Sequence, residues 1–155
     1  MLRGGAMNVG AICTREVVTV DGDTGVEAAV ELMRQRHVGD LVVVEPSKEG
    51  NRPIGILTDR DIVVELLAPH VELGKVCVRD AMSADLLTTT ESDTVSETVA
   101  RMRDRGVRRA PVVNDEGCLV GILAVDDMVL EIAGQLASLA ELLGEQPYVE
   151  RSRRP

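Results

Sequence analysis

Thr58 and Asp61 stand three residues apart where an apolar run gives way to a helical pattern, in Gly55-Ile-Leu-Thr-Asp-Arg-Asp61. At a helix start, free backbone N–H groups and the positive end of the helix dipole favour an anion, and the Thr58 hydroxyl adds a donor. Asp61 falls on the same side of the first turn and offers acceptors that suit a vicinal diol. The pair could hold a phosphate and a ribose about one sugar apart. The same spacing is also close to a capping box, in which hydroxyl and carboxylate only satisfy first-turn amides. The run returns as Gly121-Ile-Leu-Ala-Val-Asp-Asp127. Asp127 thus repeats Asp61, but Ala124 lacks the hydroxyl of Thr58. A phosphate there loses one hydrogen bond, worth about 1.5–3 kcal/mol when the acceptor is charged.

Other candidates for chemistry are thin. His37 and His70 have no Cys, Asp or Glu at a convincing ligand spacing and read as helix-end and linker residues, so no metal site is expected. Cys13 and Cys77 precede the two copies and should pack as small apolar residues, while Cys118, in a polar turn, is the candidate for an exposed thiol, with no activating base nearby. Neither a Ser-His-Asp order nor a Gly-rich phosphate loop is present. No catalytic residue is assigned, and the pattern argues against an enzyme.

The elements that position these residues are themselves duplicated. Residues 9–45 lie in register on 78–114, and 54–66 on 120–132, a repeat too long for a solenoid unit and the right size for a half-domain. In the first copy the β-branched run 16–20 reads as a strand, and Thr24-Gly-Val-Glu27 has the spacing of a capping box. Val26, Ala29, Val30 and Met33 then mark one face of a helix ending near His37. Residues 41–44 suit a strand buried on both faces, 46–53 a polar loop, 54–57 a strand and 59–67 a helix. The second copy predicts strands at 86–89, 110–113 and 119–123, with helices at 94–105 and from 126 onward. The domain reading is repeat 1 at 9–67, a linker at 68–77, repeat 2 at 78–134, and a helical extension with a basic tail at 135–155. Along that extension Val129, Leu130, Ile132, Ala133, Leu136, Leu139, Ala140 and Leu143 form an apolar stripe that needs a surface to cover. It could lie along its own domain or pair with a second copy.

Composition limits the partners. The formal charge is −9 and Tyr148 is the one aromatic residue, so direct nucleic-acid binding is not expected: the charge repels phosphates, and no stacking platform exists. Local basic spots such as Arg151-Ser-Arg-Arg do not change that. Three widely spaced cysteines suggest a reducing compartment. No apolar segment nears the roughly 18–20 residues of a membrane span, and residues 1–10 lack a secretory h-region. The expectation is a cytoplasmic protein.

Two β-α-β-β-α halves, each with this Gly-turn-Asp motif, resemble a tandem pair of cystathionine β-synthase (CBS) domains, the Bateman module, over about residues 9–132. The resemblance implies an α/β fold (α+β in some schemes): two repeats about a pseudo-two-fold axis, followed here by an extended C-terminal helix. It also implies two clefts of the kind that hold AMP, ADP, ATP or S-adenosylmethionine, with Thr58 on phosphate, Asp61 on ribose, and Thr14, Val17 and Leu41 around the ligand. Arg108 and Arg109 match a segment where some members place a basic residue on phosphate, and they could reach across to the same nucleotide; they could equally be a solvated patch paired with carboxylates. Asp40, at the matching place in the first copy, would repel phosphate. The second, weaker cleft would use Asp127, Ser83, Leu86 and Pro111. By the same resemblance the chain is a stand-alone regulatory module with no required cofactor, an adenine nucleotide as regulatory ligand, a homodimer, and an effector protein acting in trans. The alternatives are a scaffold with empty clefts or an S-adenosylmethionine-type ligand.

Overall fold

The computed structural model describes residues 7–152. The chain runs α1 (Val9–Ile12), β1 (Thr19–Asp21), α2 (Val26–Arg36), β2 (Asp40–Pro46), β3 (Asn51–Thr58) and α3 (Asp59–Asp61), which continues in π-helical geometry over Ile62–Leu67. After a 3-10 turn at Leu73–Lys75 the order returns as α4 (Val78–Ala81), β4 (Thr89–Thr90), α5 (Val95–Arg105), β5 (Arg109–Val113), β6 (Leu119–Ala124) and α6 (Val125–Ser152). Each half forms a three-stranded sheet, β1-β2-β3 or β4-β5-β6, whose first pair is parallel and second antiparallel. This is the mixed α and β architecture of two β-α-β-β-α units with a long C-terminal helix. The residues after 152, which include most of the basic tail, and residues 1–6 lie outside the described residues.

The apolar run of β2 is buried from Leu41 to Val44, as a strand covered on both faces requires. Val26, Ala29 and Met33 of α2 pack on it, whereas Val30, expected on the same face, is 37% exposed. The segment 46–53 is mostly hairpin rather than loop: β2 and β3 pair out to Pro46 and Asn51, and Ser47 N–H donates to the Gly50 carbonyl at 2.7 Å across the tip. That tip covers Cys118, which is 4% exposed with Sγ 3.7 Å from Ser47 Oγ, so the thiol expected at the surface is buried.

The expected capping box at Thr24 is not formed. The N-cap of α2 is Gly25, and the Val26 N–H is satisfied at 3.0 Å by the carbonyl of Val76. In the second repeat the position equivalent to Gly25 is Thr94, whose Oγ1 does accept from Glu97 N–H at 3.3 Å. Beside it, Asp93 accepts from Thr89 Oγ1 (2.7 Å), Thr90 N–H (3.1 Å) and Arg101 (2.6 Å), around the buried Thr89–Thr98 contact. Those bonds, from the Thr89 hydroxyl first, hold the Asp93 carboxyl well below the usual carboxylate range.

The two repeats are joined by an exchange of their leading segments. Thr14 forms an antiparallel bridge with Ile122 of β6, its N–H and carbonyl each 2.9 Å from their partners. Ser83 makes the matching bridge with Ile56 of β3. Val9 of α1 is accordingly buried in the core of the second sheet, and Val78 of α4 in that of the first. Because Thr14 aligns with Ser83 and Ile56 with Ile122, exchanging the repeats maps one bridge onto the other, the signature of a pseudo-two-fold axis. The repeated glycines serve this crossing. A Cβ on Gly55 would meet Met82 Sδ at 2.5 Å and Ser83 O at 2.8 Å, and one on Gly121 would meet Cys13 Sγ and Thr14 O at 3.0 Å. In both motifs the glycine gives a neighbouring backbone room to approach.

Candidate functional site

Where β3 turns into α3, Thr58 adopts extended backbone geometry and caps the helix. Its Oγ1 accepts from Asp61 N–H at 3.1 Å, and Asp61 Oδ2 accepts from Thr58 N–H at 2.9 Å. The capping box allowed by the spacing therefore exists. It uses the hydroxyl as an acceptor and one carboxylate oxygen; the hydroxyl proton and Asp61 Oδ1 have no other partner among the described residues. The box fixes both side chains without exhausting them, at the rim of a cavity of about 580 Å³.

That cavity lies between the repeats. The first contributes Gly39, Ile56, Thr58, Asp59, Arg60 and Asp61, and the second Ser83, Asp85, Leu86, Leu87, Gly106, Val107, Arg108, Arg109 and Asp126, so three guanidinium groups stand among four carboxylates. Ser83 and Leu86 were expected beside Asp127. They belong with Thr58 because the segment leading into β4 crosses to pair with β3. Thr14 and Val17, expected beside Thr58, line the other cavity for the same reason, and Thr14 Oγ1 donates to Asp127 Oδ2 at 3.2 Å. Leu41, fully buried, and Pro111 pack inside their sheets and line neither cavity. The structure thus brings together Thr58, Asp61, Arg108 and Arg109, and separates Thr14, Val17 and Leu41 from them.

Both arginines already have carboxylate partners. Arg108 donates to Asp126 at 2.6 Å in an exposed pair, and Arg109 Nε lies 2.9 Å from Asp40 Oδ1. Arg109 and Asp40 occupy equivalent positions in the two repeats, so this pair sits at the pseudo-two-fold axis. It is also the more enclosed, with side chains 32% and 15% exposed. Burial pushes the Asp40 carboxyl above its ordinary range; Arg109 pulls it down, and Asp59 and Asp127 add repulsion.

The second cavity is smaller, about 200 Å³, and acidic: Glu16, Asp40, Asp126 and Asp127 line it with Thr14, Val17, Ala124 and the shared Arg109. Small-molecule pockets usually measure roughly 300–1,000 Å³, a range that the first cavity meets and the second does not. Ile56, Asp59, Arg60, Asp85, Leu87, Val107 and Asp126 were among the lining residues missed in the first cavity, and Glu16 and Ile122 among those missed in the second. An acidic residue opening α6 two places after the end of β6 is visible in the sequence, but its pairing with Arg108 is not. Among the described residues no helix is long and apolar enough to cross a membrane, and no cluster of three His, Cys, Asp or Glu suits a metal ion.

Comparison with known proteins yields concordant likenesses. The family model for the CBS domain matches residues 9–68 and 78–134. An uncharacterized protein of Methanopyrus kandleri is 36% identical over 137 residues, covering 88% of this chain and 67% of its own. The CBS domain-containing protein YhcV of Bacillus subtilis is 32% identical over 117 residues, 76% of this chain and 79% of its own. The inosine-5'-monophosphate dehydrogenase of Thermoplasma acidophilum is 30% identical over 76% of this chain, but the match spans 22% of that enzyme. Among solved structures, a hexameric CBS-CP12 protein from bloom-forming cyanobacteria superposes with a TM-score of 0.69 at 28% identity, over 81% of this chain and 67% of that one. A CBS domain pair solved with 5-methylthioadenosine and S-adenosyl-L-methionine superposes with a TM-score of 0.71 at 22% identity, over 84% and 98%.

Proposed function

The chain belongs to the CBS-domain family, and from that premise we propose that it is a regulatory rather than catalytic module that takes up an adenosine phosphate in the cavity at Thr58 and Asp61. The observation that carries this is the composition of that cavity: a capped Thr58–Asp61 pair from one repeat faces Arg108 and Arg109 from the other across about 580 Å³. Asp61 Oδ1 would accept from ribose hydroxyls, the Thr58 hydroxyl and an arginine fork would hold phosphate, and Ile56, Leu86, Leu87 and Val107 supply an apolar bed for the base.

Because both repeats contribute, a bound ligand favours the arrangement in which they are correctly apposed, and that preference is what a dimer mate or a separate effector protein would read. Arg109 lines both cavities. A phosphate that draws it away from Asp40 leaves the second cavity more acidic, which couples the two sites. The acidity of that second cavity disfavours phosphate and favours one alternative by charge, an adenosine ligand bearing a positive sulfonium (the S-adenosylmethionine class), which would need the cavity to widen from its about 200 Å³.

A thermal-shift and calorimetry series with AMP, ADP, ATP and S-adenosylmethionine tests the reading. A ligand at 100 times its dissociation constant stabilises the fold by about 2.7 kcal/mol. If none of the four shifts the melting point or gives heat, the module is a constitutive scaffold whose arginines serve only Asp40 and Asp126.

A further inference from the structure

Asp40 begins β2 at the place where Arg109 begins β5, and the pseudo-two-fold axis brings Arg109 Nε within 2.9 Å of Asp40 Oδ1. Among the described residues Arg109 is the one cation in contact with this carboxylate, and the other charged groups around the pair are acidic. Thr58, the register partner of Asp40 on β3, leads into Asp59, whose Oδ2 lies over Gly39, 3.1 Å from where a Cβ there would stand. α6 supplies Asp126 and Asp127, and the segment before β1 supplies Glu16, all lining the second cavity with Asp40. The other nearby bases are engaged elsewhere: Arg108 is held by Asp126 at 2.6 Å, Arg60 lines the first cavity, and His37 lines the groove beside Val30 and Val63. Glu16, Asp59, Asp126 and Asp127 are exposed, whereas the Asp40 side chain is 15% exposed. A negative charge in that enclosed place is sustained by Arg109 against burial and against the repulsion of Asp59 and Asp127.

We propose that binding of an adenosine phosphate is coupled to uptake of one proton from solvent by Asp40. The coupling rests on the reading of the Thr58 cavity as a phosphate site. Arg109 lines both cavities and its side chain is 32% exposed, so the guanidinium has room to turn from Asp40 to a phosphate. Once it turns, Asp40 keeps its enclosure and its acidic neighbours but loses its counter-ion. A carboxyl in that position is more stable protonated. The proton relieves the repulsion that the departing guanidinium leaves in the second cavity, while the guanidinium neutralises the phosphate in the first. Asp40 therefore holds a proton more firmly with ligand bound than without. Affinity is lowest at high pH, rises by up to about tenfold per pH unit as pH falls through the bound-state value, and levels off below the free-state value. The module thus reads nucleotide and proton concentration together, through one ion pair on its axis.

Calorimetry of AMP and ATP with the full chain, in buffers of differing ionisation enthalpy between about pH 5.5 and 8, counts the protons exchanged. A phosphate monoester itself titrates near about pH 6 and releases its proton on meeting an arginine. The comparison is therefore with Asp40→Asn, which carries the same phosphate contribution. The parent should take up more protons than the variant, by up to one per nucleotide, and the tighter binding of the variant should shrink toward the parent's as pH falls. Infrared difference spectra should show a protonated-carboxyl band appearing when AMP binds to the parent and absent from Asp40→Asn. Equal proton numbers and no such band, with nucleotide bound by both chains, overturn the coupling and leave the phosphate reading standing. Weaker binding by Asp40→Asn at every pH also overturns it, since Asp40 would then be holding Arg109 in place for the phosphate. No heat from either nucleotide at any pH overturns the phosphate reading and the coupling with it.

Discussion

Asp40→Asn should tighten binding of an adenosine phosphate and leave the fold as stable or more so. Arg109 Nε sits 2.9 Å from Asp40 Oδ1 with both side chains largely enclosed, so a phosphate entering the Thr58 cavity must compete with that carboxylate. Releasing the guanidinium restores a charge-assisted hydrogen bond worth about 1.5–3 kcal/mol. At about 1.4 kcal/mol per tenfold, affinity for AMP or ATP should rise ten- to a hundredfold by calorimetry. Stability moves the same way. Folding holds the Asp40 carboxyl above its unfolded range, mainly by burial. Its favourable contribution is therefore complete below the unfolded value and is lost as pH rises through the folded one. At neutral pH the charged group is a cost that asparagine does not carry, and Arg109, about one third exposed, can take water instead. Thermal melts from pH 4 upward should show the variant losing less stability with rising pH than the parent. Weaker phosphate binding by Asp40→Asn would show that Asp40 positions Arg109 rather than competing for it, and would refute this reasoning, as would a lower melting point at neutral pH.

The remaining expectations concern cleft asymmetry and two structural devices. Asp61→Ala should cost about 1–3 kcal/mol of nucleotide binding and Asp127→Ala less, while Ala124→Thr should strengthen phosphate binding in the second cavity; equal losses from the two aspartates, measured by calorimetry, would reject the asymmetry. Asp93→Asn should destabilise the second repeat by about 1–3 kcal/mol at neutral pH and by progressively less as the medium is acidified. The sign follows because a carboxyl lowered by folding contributes above its unfolded value and loses that contribution as pH falls. A denaturation series showing the same cost at pH 3 and pH 7 would contradict it. Gly55→Ala should destabilise by about 1–3 kcal/mol, since its Cβ would overlap Met82 Sδ and Ser83 O; an unchanged urea midpoint would mean that the crossing segment can move away at little cost.

The duplicated pattern was sufficient to predict the order of elements in each repeat, because apolar periodicity and turn chemistry are local, while the pairing of the repeats about a pseudo-two-fold axis came from the family resemblance. Residues 41–44 were readable as a covered strand, the Gly55 and Gly121 motifs as matching strand-to-helix turns, and the stripe beginning at Val129 as a face needing cover. Local errors had tertiary causes. Thr24 does not cap α2 because the carbonyl of Val76, fifty residues on, satisfies the first amide. Cys118 is buried because a hairpin tip from the other repeat lies over it.

The contents of each cavity were decided only by tertiary structure. Thr58, Asp61 and Ala124 declare their chemistry in the sequence, since a hydroxyl or a methyl at a helix start and a carboxylate three residues on mean much the same in any fold. Which residues face them does not follow from proximity along the chain. The leading segments exchange partners, so Ser83 and Leu86 reach Thr58 while Thr14 and Val17 reach Asp127. The pairing of Arg109 with Asp40 likewise requires the two-fold relation that brings equivalent positions together on the axis. Sequence thus determined which groups were available, and the exchange of backbone hydrogen bonds between repeats, a long-range interaction without a local signature, determined which of them meet.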